Sequence, residues 1–143
     1  MKKMIFLISA SLLTVASFAY DPNTKVLKAF TQTFTTAENV KWEEYSDYYS
    51  VSFHTSGTSS RINYDKEGNI ISSTRYYLPN LLPLNILNKL KRENPKRELF
   101  GVTELSVGDD MVYFVKMYDA KHWITLKVDT YGNSQVYEKY KKG

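Results

Sequence analysis

The sequence predicts an α+β protein: two tandem modules, each a helix plus a four-stranded antiparallel meander, forming one continuous sheet with both helices on one face. Three observations predict it. Apolar residues recur at helical spacing twice, at Val26, Phe30 and Phe34 and again at Ile86, Leu87 and Leu90. Each stripe is followed by short runs in which apolar and polar residues alternate, the pattern of strands with one buried face. The two halves also align without a gap at an offset of 64 residues, with Tyr49, Val51 and Phe53 against Tyr113, Val115 and Met117, and Asp65, Gly68 and Asn69 against Asp129, Gly132 and Asn133.

In chain order, residues 1–19 (MKKMIFLISASLLTVASFA) read as a secretory signal peptide. Lys2 and Lys3 form a positive start, Met4 to Val15 an apolar stretch too short for a membrane span, and Ser17 and Ala19 the small residues of a cut after Ala19. An uncleaved anchor is the competing reading. Residues 20–77 are then the first module. Asp21-Pro22 predicts a capped helix start with proline in the first turn, and the β-branched pair Thr35-Thr36 its end. Val40 and Trp42 alternate with Lys41 and Glu43, and Tyr49, Val51 and Phe53 with Ser50, Ser52 and His54. Residues 55–60 predict a turn, and Ile62 and Tyr64 continue the alternation. Asp65 to Asn69 is a hairpin signal in which Gly68 supplies the positive φ, and Ile70 to Tyr77 forms the fourth strand.

The second module covers residues 78–143. Pro79 and Pro83 introduce its helix, which ends before Asn94-Pro95 with Lys89, Lys91 and Arg92 suiting its C-terminal turn. Strands are expected near 101–107, 111–119, 122–129 and 133–140, with turns at Gly108-Asp109-Asp110 and Asp129 to Asn133. The helix-facing side of the joined sheet is expected to carry Trp42, Tyr49, Val51, Phe53, Ile62 and Tyr64, with Tyr113, Val115, Met117, Ile124, Leu126 and Val128. Joining the modules edge to edge leaves fewer strand edges open.

Composition narrows the function classes. The 143 residues include 43% hydrophobic and 24% charged residues, which is a globular balance. There is no Cys, so disulfides, thiolate metal sites, a cysteine nucleophile and a lipidated Cys are excluded. The formal charge of +4 owes two Lys to residues 1–19 and more to the tail Lys139, Lys141 and Lys142, which removes the main support for nucleic-acid binding. With only two His, His54 and His122, a multi-His metal centre is excluded, and the two share no ligand spacing. The Asp65 and Asp129 turns offer too few oxygens for calcium and read as hairpin geometry. No Gly-x-Ser-x-Gly elbow or phosphate-binding glycine loop occurs. Glu43, Glu44 and Asp47 read as a wetted face rather than a catalytic carboxylate pair. No cofactor is expected, and the protein is read as a non-enzyme.

The pattern resembles the PepSY-like family related to the β-lactamase inhibitory proteins, exported bacterial proteins common in Bacteroidetes. The resemblance runs over residues 20–143. It rests on Val26-x-x-x-Phe30-x-x-x-Phe34, Ala37-x-x-Val40-Lys41-Trp42, Asp47-Tyr48-Tyr49-x-Val51-x-Phe53, Tyr64-Asp65-x-x-Gly68 and Leu78-Pro79, followed by the repeat. Family members often carry proline after the second helical Phe, where this chain has Thr35. The resemblance implies tandem α-plus-four-strand modules, export and a bias towards protein binding through the sheet. It implies no catalytic residues, and β-lactamase inhibition does not transfer, because no inhibitory loop matches.

Strand parity also names candidate binding residues. The face away from the helices receives Tyr48, His54 and Arg61, with Ser50, Ser52 and Asn63, from the first module. It receives Phe114, Lys116, Tyr118, Trp123 and Lys127 from the second. Exposed Tyr and Trp beside Lys and Arg are typical of binding hot spots. The competing readings are a register slip of one residue, which would bury the whole set, and ordinary cross-strand aromatic pairing. The expectation is a periplasmic or secreted binding protein that docks a protein or peptide of the cell envelope on its open sheet face. Phe114, Tyr118 and Trp123 would anchor, and Lys116, Lys127 and Arg61 would favour an acidic patch. Nucleic-acid binding and a membrane anchor after cleavage are not expected. The alternative is a periplasmic small-ligand carrier or envelope-stress sensor.

Overall fold

The computed structural model describes residues 21–143. The expected signal peptide and its cleavage site lie outside these residues. Helix α1 (Thr24–Thr33) precedes strands β1 (Glu38–Glu44), β2 (Tyr48–Thr55), β3 (Thr58–Asp65) and β4 (Ile70–Tyr77). A single 3-10 turn (Pro79–Leu81) leads into α2 (Leu84–Glu93). Strands β5 (Glu98–Val107), β6 (Asp110–Tyr118), β7 (His122–Val128) and β8 (Ser134–Lys141) complete the chain. All eight strands form one antiparallel meander in sequence order, with β4 paired to β5 at the seam between the halves. This is the expected architecture.

Local chemistry sets the boundaries. The cap of α1 is Asn23 rather than Asp21: its Oδ1 accepts from the Val26 N–H at 3.0 Å, and its Nδ2 donates to the Lys66 carbonyl at 2.9 Å. Pro22 therefore precedes the cap instead of opening the helix. The turn expected over 55–60 is a tight hairpin, with Thr55 opposite Thr58 and Gly57 at φ 74. The two Asp-to-Asn hairpins are near copies. Asp65 Oδ1 accepts from the N–H groups of Glu67 and Asn69, both at 2.9 Å, and Asp129 Oδ1 does the same with Tyr131 and Asn133. Both carboxylates are thus engaged by their own turns.

Each helix covers its own half of the sheet. Val26 and Phe30 of α1 pack on Tyr49, Val51, Phe53, Ile62 and Tyr64, with Trp42 half-buried at the margin. Ile86, Leu87 and Leu90 of α2 pack on Val102, Tyr113, Val115, Met117, Ile124, Leu126 and Val128. Leu27, beside the α1 stripe, is exposed. The cross-strand row Phe53–Ser60–Arg75–Glu104–Tyr113–Val128 runs from one core to the other along one face. Both helices therefore lie on the same side, and among the described residues the opposite side of the sheet carries no helix.

The repeat is not uniform. From β2 to β4 the offset of 64 holds, so that Ile70 corresponds to Ser134. The helices and first strands match at 60 instead: Thr24 corresponds to Leu84, and Trp42, opposite Val51, corresponds to Val102, opposite Val115. The four additional residues lengthen the β5–β6 hairpin, adding the pairs Leu105–Val112 and Ser106–Met111. Leu105, Ser106 and Val107 are also the residues that pair with Thr74, Ser73 and Ser72 of β4. The insertion satisfies backbone groups of β4 that a hairpin as short as β1–β2 would leave unpaired.

Candidate binding face

The helix-free face is built from cross-strand rows. One reads His54–Ser59–Tyr76–Thr103–Phe114–Lys127, and the next Gly101–Lys116–Thr125–Glu138, followed by Glu98–Tyr118–Trp123–Tyr140. The expected parity is therefore the observed one. Phe114, Lys116, Tyr118 and Trp123 are half-buried and Lys127 is exposed, so none of the five belongs to the core.

The structure gathers the second-half residues into a contiguous aromatic and basic surface. The Trp123 ring meets Tyr118 at 5.2 Å and, edge to face, Phe100 at 5.1 Å. Phe114 meets Tyr137 edge to face at 4.9 Å. Lys116 Nζ lies 5.0 Å from the Trp123 ring centre, and Lys142 Nζ lies 4.3 Å from that of Tyr118. The Tyr118 hydroxyl donates to Glu98 Oε2 at 2.5 Å, and that bond together with the carboxylate charge raises the phenol above its ordinary pKa.

Two β-bulges supply part of this surface. In β5, Leu99 faces Met117 and Gly101 faces Lys116, so Phe100 is the extra residue. In β8, Glu138 faces Thr125 and Val136 faces Leu126, so Tyr137 is the extra residue. At each bulge alternation gives two answers: counted forward from Glu98 or Gln135 the ring falls on the open face, and counted back from Gly101 or Glu138 it falls on the other. Phe100, Tyr137, Tyr76, Tyr140 and Lys142 are thus members of the surface that sequence parity did not name. Tyr76 and Tyr140 were accessible to the same alternation used for Trp123, had it been extended through β4 and β8.

The first-half candidates lie apart. His54 is exposed and four strands from Phe114 in the same row, a separation of ~19 Å at ordinary strand spacing. Arg61 donates from Nε to Ser52 Oγ at 3.2 Å and has Glu43 at 4.0 Å. Tyr48 stacks on Tyr45 at 4.4 Å beside the β1–β2 turn. Ser50, placed on the same face, is buried. His122 is also half-buried, its Nδ1 3.2 Å from Asp119 Oδ1. Among the described residues, no three His, Asp or Glu side chains gather as a metal-binding group.

A trough of about 430 Å³ crosses the open face between Tyr76, Phe100, Phe114 and Lys116, floored by Gly101, Thr103 and Thr125. On the helix side, a groove of about 570 Å³ lies over the seam, lined by Thr58, Leu81 and Tyr113 among others. There Glu104, 7% exposed, accepts from the Tyr77 hydroxyl at 2.6 Å and from Arg75 Nη1 at 3.2 Å. Burial and the adjacent carboxylate raise the Tyr77 pKa, so the phenol stays a donor.

No protein-family model matches the chain, and no curated protein matches it in sequence. Solved structures do match in fold. A BLIP-like protein from Bacteroides fragilis is similar at 17% identity and a TM-score of 0.60, covering 87% of this chain and 90% of that one. A DUF2874 family protein from Bacteroides ovatus is similar at 14% identity and a TM-score of 0.59, with coverage of 85% and 89%. A candidate periplasmic protein from Bacteroides eggerthii follows at 13% identity and a TM-score of 0.58, with coverage of 85% and 90%. At these identities what is shared is the fold, over most of each chain.

Proposed function

We propose that this chain is an exported, non-enzymatic binding protein of the PepSY-like and BLIP-like kind, docking an acidic protein or peptide on the helix-free face of its sheet. The observation that carries the reading is the contiguous surface around Trp123. Large rings, held in place by their neighbours, lie beside Lys116, Lys127 and Lys142 on a face where half-exposed strands ordinarily carry small polar residues. Such rings contribute much contact area for little loss of rotamer freedom, and the lysines favour a partner of opposite charge.

Export is supported by the leader-like residues 1–19 and by the description of one structural neighbour as a candidate periplasmic protein. No helix among the described residues is long and apolar enough to cross a membrane.

The test is simultaneous alanine substitution of Phe114, Tyr118 and Trp123. Because these side chains lie outside both cores, the variant is expected to keep a single cooperative melt. Used as bait against envelope extracts beside the wild type, it is expected to lose whatever the wild type captures in a salt-sensitive manner. A variant that unfolds would place the three rings in the fold's foundation, and a folded variant with unchanged capture would remove the face from the binding reaction.

A further inference from the structure

We propose that the trough over Gly101 receives one apolar side chain of an acidic peptide segment, while Lys116 pairs with a carboxylate beside it. This deepens the open-face reading and rests on it.

Gly101 is the starting point. Gly57, Gly68, Gly108 and Gly132 all have positive φ, the backbone region that L-residues rarely adopt. Gly101 does not, so its backbone accepts any residue. A Cβ built on it meets nothing within 4 Å, so space does not demand glycine either. The neighbouring bulge does not require it, since the extra residue there is Phe100. A glycine inside a strand weakens the strand, and one recurrent reason for it is the close approach of another molecule. Here the missing side chain is what leaves the trough open between the rings of Tyr76, Phe100 and Phe114.

The walls define the occupant. Three aromatic rings and Leu78 surround an apolar volume, and Lys116 is the charged residue among those lining it. Lys127 lies one strand on from Phe114, and Lys142 covers Tyr118. In the rows through Gly101 and Glu98, the carboxylates are Glu98, which already accepts from Tyr118, and Glu138, which belongs to the outermost strand; Glu38, Glu43 and Asp110 share the face further from the trough. A segment alternating acidic and apolar residues therefore complements the surface in both shape and sign. At about 430 Å³ the trough takes a single anchor side chain and part of the backbone that carries it. The strands flanking it are paired on both sides, so attachment is through side chains and not by strand addition.

The experiment titrates 15N-labelled protein with four probes at up to millimolar concentration. They are the blocked peptides Glu-Glu-Phe-Glu-Glu, Glu-Glu-Gly-Glu-Glu and Lys-Lys-Phe-Lys-Lys, and decanoate as an anionic amphiphile. Expected is movement of the Gly101, Thr103 and Thr125 amide resonances with the first peptide. Its affinity should exceed that of the other two peptides by about tenfold or more, the loss typical of removing an anchor. Gly101→Leu fills the trough with its own side chain. It should melt no lower than the wild type and lose the same factor. The proposal is overturned if the first peptide moves none of these resonances, if the basic peptide binds equally, if decanoate alone binds, or if Gly101→Leu binds unchanged. Should Gly101→Leu bind normally while the Phe114, Tyr118 and Trp123 alanine variant does not, the trough is wrong and the wider face stands. Should neither variant lose binding, both readings fall.

Discussion

Two halves joined along β4 and β5 need a seam that resists sliding, and the 2.6 Å bond from Tyr77 to Glu104 is shorter than the Arg75–Glu104 contact beside it, at 3.2 Å. Its contribution can be isolated with Tyr77→Phe, Glu104→Met and the double variant. Both residues are 7% exposed, and the hydroxyl lies 2.6 Å from the carboxylate. A buried hydrogen bond to a charged group contributes about 1.5–3 kcal/mol. Arg75 adds a second contact at 3.2 Å, but its side chain is 44% exposed, so solvent screening limits that pair to about 1 kcal/mol or less. Tyr77→Phe should therefore cost about 2 kcal/mol. Glu104→Met loses the same bond and leaves a phenol without its acceptor, at a cost of about 2–3 kcal/mol. The double variant removes both polar groups together and should cost about 2 kcal/mol, well short of the sum of the singles. Urea unfolding followed by circular dichroism and tryptophan fluorescence gives the three values. A coupling energy below about 0.5 kcal/mol, the ordinary scatter of independent sites, would refute the bond as a seam element.

Two further predictions concern the turns. Replacing glycines by alanine should order as Gly68 worst, then Gly132, then Gly108, by thermal or urea melting. All three have positive φ, but an added Cβ lies 3.1 Å from the Lys25 carbonyl oxygen at Gly68, 3.2 Å from the flexible Lys89 side chain at Gly132, and near nothing at Gly108. Left-handed strain alone is worth about 1–2 kcal/mol, and Gly68→Ala should exceed that range. The second concerns acid. Hydrogen bonds from Asn69 and Asn133, side chain first and then backbone, hold Asp65 and Asp129 below their ordinary pKa of 3.8. A carboxylate with a depressed folded pKa stabilises the fold above its unfolded value, and that stability is lost as pH falls through the folded one. Melting temperature against pH should thus drop below about pH 4, and the Asp65→Asn, Asp129→Asn double variant should show a shallower drop. An unchanged slope would show that these turns do not govern acid sensitivity.

Period and punctuation made most of the fold legible before any coordinates. Alternation in β2, β3, β6 and β7 named the helix-facing residues from Tyr49 to Val128, and the Asp-x-x-Gly-Asn hairpins fixed the register from which that parity follows. What escaped has a common cause. Alternation presumes one residue per pleat, and a bulge adds one. Phe100 and Tyr137 are the added residues, so the arithmetic that placed Phe114 and Trp123 gives them a different face from each end of their strands. The change of offset from 64 to 60 escaped because the matching residues lay within β2 to β4, on one side of the lengthened hairpin. Glu104 escaped for another reason: a carboxylate on a strand reads as wetted, and only the pairing of β4 with β5 brings Tyr77 and Arg75 to it.

The comparison between halves bears on where function lies. Both have the same helix-and-meander plan, yet they distribute their aromatic residues differently. The first half packs Phe30 against Trp42 at 5.2 Å and Phe53 at 5.1 Å beneath α1, and leaves Tyr48 and Tyr76 on the helix-free face. The second half fills the space under α2 mainly with aliphatic side chains and Met117, and turns Phe100, Phe114, Tyr118 and Trp123 to the helix-free face. Packing under α2 does not require that difference: the open-face rings stabilise the sheet through cross-strand pairs such as Tyr118–Trp123, but exposed rings carry a solubility risk and add nothing to the core. Nor does edge protection explain it, since β5, β6 and β7 are interior strands with both edges paired. The half with the more aliphatic core displays more of the rings, beside lysines and around a glycine that neither its φ nor its packing requires. The proposed recognition of an acidic, apolar-anchored partner would account for all three features together.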